Sequence, residues 1–156
     1  MDYKKLFPIF ETHKELAYLD SAATNQKPEK VIKAIDEYNR KFNASPNRGS
    51  YGISVEATCQ YNQAKGKVAK FIGAKNTEII FVKSSTEGLN LLANSFSYEL
   101  TKEDNILVGI TSHHSNIVPW QEVKRRTGAE LRYIYLDKNG EFDYDDLESK
   151  LDSNTK

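Results

Sequence analysis

The sequence predicts an α/β fold built on a largely parallel sheet. Three apolar runs, 78–82, 105–110 and 131–136, alternate with segments of helical spacing, and strand–helix alternation of this kind builds parallel sheets. The middle run is nearly continuous in apolar residues, as a strand covered on both faces requires. The 156 residues, 38% hydrophobic and 28% charged, suit one soluble globular domain.

Each element has its own signal. Pro28 and Glu29 open a helix whose apolar face is Val31, Ile35, Tyr38 and Phe42. The turn-rich segment 43–50 ends it. A second helix carries Ala57, Tyr61, Ala64, Val68 and Phe71 or Ile72 on one side, and Gly73 closes it. After the run 78–82, helical spacing returns at Leu89, Leu92, Ala93, Phe96 and Leu100. A helix from about Ile117 to Thr127 follows the second run and stops at Gly128. After the third run and the turn 137–140, a last helix opens with Asp143 as N-cap, Asp146 three residues on, and Phe142 and Leu147 as a hydrophobic staple. Its apolar side, Leu147 and Leu151, is short, and three strands are few for a sheet of this class, so the chain reads as the front part of something longer.

Charge and cysteine content exclude several functions. With 22 basic and 22 acidic residues the formal net charge is zero, without the basic excess of a nucleic-acid or anionic-membrane binder. Cys59 is the only cysteine, which rules out an intramolecular disulfide framework and a Cys-rich zinc site. Its helical position, with no activating neighbour, reads as inert. Residues 1–20 interleave charges with short apolar stretches, and neither a signal run of roughly 7–15 apolar residues nor a membrane span of about 20 occurs. A cytoplasmic location is the expectation.

Two strand-to-helix junctions carry chemistry, and in open α/β sheets such junctions are where ligands bind. Ser84-Ser85-Thr86-Glu87-Gly88 offers hydroxyls and free backbone N–H groups to a phosphate, or else a Ser84–Glu87 capping box alone. It matches neither a Walker loop nor Gly-x-Gly-x-x-Gly. Thr111-Ser112-His113-His114-Ser115-Asn116 offers a histidine to stack on a planar cofactor or move a proton; a structural histidine pair is the other reading. No third ligand stands at a spacing that would make a metal site, so none is expected. Arg48, before Gly49 in a loop between two helices, reads as ligand-facing or merely solvated.

Three segments together resemble one family. Tyr18-Leu19-Asp20-Ser21-Ala22-Ala23-Thr24-Asn25-Gln26-Lys27-Pro28 is similar to the opening motif of the class V aminotransferases, more closely the SufS/CsdA-like cysteine desulfurases and selenocysteine lyases. Residues 81–90 resemble their cofactor-phosphate turn, and residues 113–121 their stacking-histidine segment, in the family's order. The resemblance implies the N-terminal portion of a fold type I large domain: three layers on a mainly parallel sheet, incomplete here. It divides residues 1–156 into an N-terminal segment with an interface helix, 1–53, and the start of the sheet layer, 54–156.

The resemblance also implies pyridoxal 5′-phosphate as cofactor. Ser85 and Thr86 would hold its phosphate, and His113 would stack on the ring and serve as the catalytic histidine. Ala22 and Ala23 would line the substrate pocket, while Asn47 and Arg48 would reach into the partner subunit's site of a homodimer. The implied reaction takes sulfur from L-cysteine for iron–sulfur cluster assembly, with a sulfur-acceptor protein as possible partner. The motifs for the Schiff-base lysine, the pyridinium-pairing Asp, the substrate-carboxylate arginine and the persulfide cysteine match no segment of residues 1–156. No covalent attachment of the cofactor to this chain, and no turnover by it alone, is therefore expected; a non-catalytic binding or dimerisation piece is the alternative. Ser84 replaces the usual Gly, Ser112 an acidic residue, Asn47 the His of His-Arg-Gly, and Tyr51 a later His, which leaves a class V relative of other specificity open. In this fold the first strand is separated from the second by later strands, so run 78–82 is not expected to pair with 105–110. Without its partners it would leave the isolated chain marginal and oligomeric, or repaired by non-native pairing.

Overall fold

The computed structural model describes residues 2–156, which divide into two compact units, 2–80 and 81–156. In the first, short helices at Tyr3–Leu6 and Ile9–Thr12 (the latter α1) precede α2, Glu29–Lys41, and α3, Gly52–Ile72. In the second, α4 (Ser85–Phe96), β1 (Asn105–Gly109), α5 (His114–Thr127), β2 (Glu130–Ile134) and α6 (Tyr144–Lys150) follow in order.

α2 is amphipathic as its spacing predicts. Pro28 is the N-cap, one residue ahead of the expected place, with Glu29 as the first helical residue. Ion pairs at i,i+4 join Glu29 to Lys33, Asp36 to Arg40 and Glu37 to Lys41 along the polar side, where solvent screens them. α3 ends at Gly73, whose φ of +73° is the left-handed conformation that closes a helix, and the N–H groups of Gly73 and Ala74 both return to the Ala69 carbonyl. Ser54, Ala57 and Ala69 are the buried residues of α3.

The second unit is built on a parallel pair. Asn105 lies opposite Glu130, and the register runs on to Gly109 opposite Ile134. α4 and α5 pack on one another, and the core is Ala93 of α4, Ile106 and Val108 of β1, Val123 of α5 and Leu131 of β2. Leu100, Ile117, Trp120 and Tyr133 close around it. α6 packs against β2, opened by Asp143, whose carboxylate accepts the Asp146 N–H as its spacing predicts.

Run 78–82 is a correction. Asn76–Glu78 is a short 3-10 helix, and residues 79–82 join no sheet, with Ile80 72% exposed. A strand is held by a neighbouring strand's N–H and C=O groups, and apolar composition alone does not supply that neighbour. The pairing of β1 with β2 and not with 78–82 accords with the strand order that the family resemblance implies.

A polar cluster ties the last residues to β1. The Asn105 amide, 2% exposed, donates to Asp152 at 2.8 Å and accepts the Thr155 hydroxyl at 2.8 Å. Arg132 donates to Asp152 at 2.7 Å. The Asn105 N–H donates to the Asn154 carbonyl and its carbonyl accepts the Lys156 N–H, so Thr155 begins a parallel ladder on the edge of β1 opposite β2. Arg132, then Asn105 and the Asn154 N–H, hold the Asp152 carboxyl down to about 2. A depressed acid stabilises the fold above its unfolded pKa, ~3.9, and loses that contribution as pH falls toward its folded value. Acid titration followed by circular dichroism is expected to show a stability loss between pH ~4 and ~2 that Asp152→Asn lessens.

Candidate functional site

Ser85 and Thr86 are the first two residues of α4. Ser84, extended at φ −162°, is the N-cap, and its Oγ accepts the Glu87 N–H at 3.2 Å. The Glu87 carboxylate reaches back to the Lys83 N–H, one residue beyond the usual capping box. The cap and the phosphate reading are thus not alternatives: Ser84 and Glu87 do the capping, and Ser85 and Thr86 are left free. Among the described residues neither of their hydroxyls has a hydrogen-bond partner, and their N–H groups, as first-turn donors, have none within the helix. Two hydroxyls and two N–H groups at a positive helix end fit a phosphate.

His113 is the N-cap of α5. The helix starts at His114, three residues before the expected place, because the His113 Nδ1 accepts the Ser115 N–H at 3.1 Å. The imidazole is exposed, its ring centroid 6.2 Å from that of His114. α4 and α5 run in the same direction: one groove between them is lined by Asn90 and Pro119 and, a turn or two further on, by Asn94 and Arg126, whose guanidinium donates to Asn94 at 3.1 Å. Their N-termini, with Ser85, Thr86 and His113, therefore lie at one end of the layer, beyond the carboxyl end of β1. This is where open α/β sheets bind ligands.

The remaining candidates belong to the first unit. Ala22 and Ala23 sit in a turn in which the Ala23 and Thr24 N–H groups return to the Asp20 carbonyl. The Tyr18 hydroxyl ties the same turn through the Thr24 carbonyl. Asn47 and Arg48 sit on a loop fastened to α3. The buried Ser54 hydroxyl donates to the Ser45 carbonyl at 2.9 Å, and the Thr58 hydroxyl accepts the Asn47 N–H at 2.9 Å. Asn47 adopts φ +60°, a left-handed conformation that asparagine tolerates better than most residues. Arg48, exposed, has no ion-pair or hydrogen-bond partner among the described residues.

The loop needs Gly49. A β-carbon there would stand 2.5 Å from the Tyr51 ring and 2.9 Å from the Ser54 hydroxyl. Gly49→Ala is expected to cost about 1–3 kcal/mol, through the displaced Ser54 bond, read by chemical denaturation. Ser54 and Thr58, one turn apart on α3, escape a reading based on apolar spacing; their signal is two hydroxyl residues at i,i+4 facing a turn-rich loop. Ser115 is missed for the same reason.

Comparisons with known proteins converge. The aminotransferase class-V family model matches residues 17–156. A probable cysteine desulfurase of Halalkalibacterium halodurans is 42% identical over 160 residues, which cover 99% of this chain and 39% of that protein. The chain thus spans about two-fifths of the length of the curated relatives it matches. Among solved structures, the apo cysteine desulfurase of Thermococcus onnurineus aligns with a TM-score of 0.87 at 37% identity, covering 96% of this chain and 36% of that one. The Escherichia coli cysteine desulfurase CsdA aligns at 0.82 and 29% identity, covering 99% and 39%. The fold here corresponds to the N-terminal part of these enzymes' fold.

Proposed function

The chain belongs to the aminotransferase class-V family, and from that membership we propose that it is the N-terminal part of a pyridoxal-phosphate-dependent cysteine desulfurase. The observation that carries the reading is the free pair of hydroxyls at the start of α4, at the same end of the layer as the imidazole at the start of α5. Ser85 and Thr86 hold the cofactor phosphate through their hydroxyls and N–H groups, and the α4 N-terminus favours its charge. His113 lays its imidazole against the cofactor ring. Ala22 and Ala23 leave room for a small amino acid, and Asn47 and Arg48 serve the site of a second copy in a homodimer. When bound, pyridoxal 5′-phosphate supplies the electron sink for amino-acid chemistry.

The complete protein breaks the carbon–sulfur bond of L-cysteine. Alanine leaves, and the sulfur passes to an enzyme thiol as a persulfide, on its way to an acceptor protein for iron–sulfur cluster assembly. We do not assign that thiol to Cys59, which is exposed on α3 with its sulfur accepting from the Gln63 amide and matches no persulfide-cysteine motif of the family. No helix among the described residues is long and apolar enough to cross a membrane.

The test is to supply the complete protein with pyridoxal 5′-phosphate, L-cysteine and a thiol reductant. Alanine and sulfide are expected in equal amounts, and formation of neither would overturn the reading. A class V relative of other specificity is the second reading, favoured by Ser84, Ser112 and Tyr51 at positions where the family carries other residues. It predicts turnover of another amino acid with L-cysteine inert.

A further inference from the structure

The two ring nitrogens of His113 have different surroundings. Nδ1 accepts the Ser115 backbone N–H at 3.1 Å and lies 2.9 Å from the Ser115 hydroxyl oxygen. A backbone N–H donates to Nδ1 only where Nδ1 keeps its lone pair, so the neutral ring carries its hydrogen on Nε2. The Ser115 hydroxyl, facing the same lone pair, is then a second donor to it. Nε2 has no partner among the described residues, and the side chain is exposed.

We propose that Ser115 is a positioning residue that locks His113 into the Nε2–H tautomer, so that the ring offers a hydrogen-bond donor outward. The acceptor it suits is an anionic atom of an amino-acid substrate, a thiolate or a carboxylate. The inference rests on the placing of His113 beside cofactor and substrate under the proposed function. It adds a constraint on proton movement: the one vacant lone pair of the ring is at Nδ1, where both Ser115 donors sit. A proton taken up there displaces the Ser115 N–H, removing the side-chain N-cap bond of α5, and turns the Ser115 hydroxyl from donor to acceptor. His113 therefore offers the Nε2 hydrogen outward in its resting state, and a proton gained at Nδ1 exchanges the Ser115 N–H contact for a bond donated to the Ser115 hydroxyl.

Two substitutions separate the roles of the nitrogens. In His113→Asn the side-chain carbonyl takes the place of Nδ1 and keeps the cap; in His113→Gln the amide N–H reaches the place of Nε2 and keeps the outward donor. The melting temperature of His113→Asn is expected to stay near that of the unaltered protein and that of His113→Gln to fall. Turnover of L-cysteine by the complete protein should rank the other way, His113→Gln retaining about tenfold more kcat/KM than His113→Asn. Long-range proton–nitrogen spectra of histidine-labelled protein should show His113 as the Nε2–H tautomer, and a mixture in Ser115→Pro, which removes both donors. An Nδ1–H tautomer in the unaltered protein, or better turnover by His113→Asn, would overturn the proposal. Absence of turnover by the unaltered protein would sink the desulfurase reading alone, since the tautomer and melting measurements need no substrate.

Discussion

Pyridoxal 5′-phosphate is expected to bind the complete protein on the order of 100-fold more weakly, or worse, when Ser85 and Thr86 are both replaced by alanine. A hydrogen bond to a charged group contributes about 1.5–3 kcal/mol, and each tenfold in affinity is about 1.4 kcal/mol. Two hydroxyls facing one phosphate therefore reach this range even with partial compensation by water. The helix itself should survive, because Ser84 and Glu87 perform the capping and alanine is a good helix former. Ser84→Ala is the complementary control: it should cost about 1 kcal/mol of stability and much less cofactor affinity. Absorbance titration with the cofactor, alongside melting curves, reads both quantities. Unchanged affinity in the double variant would remove these hydroxyls from the phosphate site.

The largest structural effect is expected at Val123. Its side chain is fully buried between Ala93, Ile106, Val108 and Leu131. An aspartate there puts an unpaired carboxylate in a core of five buried residues, a penalty of several kcal/mol against a total stability of about 5–15 kcal/mol for a domain. Val123→Asp should abolish cooperative folding of residues 81–156, whereas Val123→Ala should cost about 2 kcal/mol and leave the fold intact. Trp120 packs against the same core and is the only tryptophan, so its fluorescence reports the event directly. A native-like emission spectrum and melt for Val123→Asp would show that the core tolerates rearrangement.

The elements legible in the sequence were those whose information is local. The apolar spacing of α2 and α3, the left-handed glycines at 73 and 128, and Asp143 over Asp146 all act within a few residues of themselves. Run 78–82 misled because apolar composition states a preference for burial and not the presence of a neighbour. α5 starts before its apolar spacing does because a histidine, an unusual cap, closes its first turn, and the bond that makes it one depends on which ring nitrogen faces the Ser115 amide. In the site, hydroxyls after a strand-like segment and a histidine after a strand were visible as residue types in position. What was not visible was the division of labour between Ser84 and its two neighbours, or the fastening of the Arg48 loop by Ser54 and Thr58, contacts that carry no periodicity.

The Asn105 amide also bears on which chains this sheet can accept. By alternation from Asn105, the Leu107 backbone groups and the Gly109 N–H face the edge where Thr155 begins its ladder. An open edge of this kind is a template for stray strands. Here the first rung is occupied by a segment whose direction and offset are set by side chains: Asn105 holds both Asp152 and Thr155, and Lys156 lies 3.5 Å from Asp104. A strand arriving antiparallel, or shifted by one residue, would leave the buried amide without its partners. The cluster therefore works as a filter on direction and register: it admits a parallel segment that brings a carboxylate and a hydroxyl to the buried amide, and raises the cost of any other pairing on this edge.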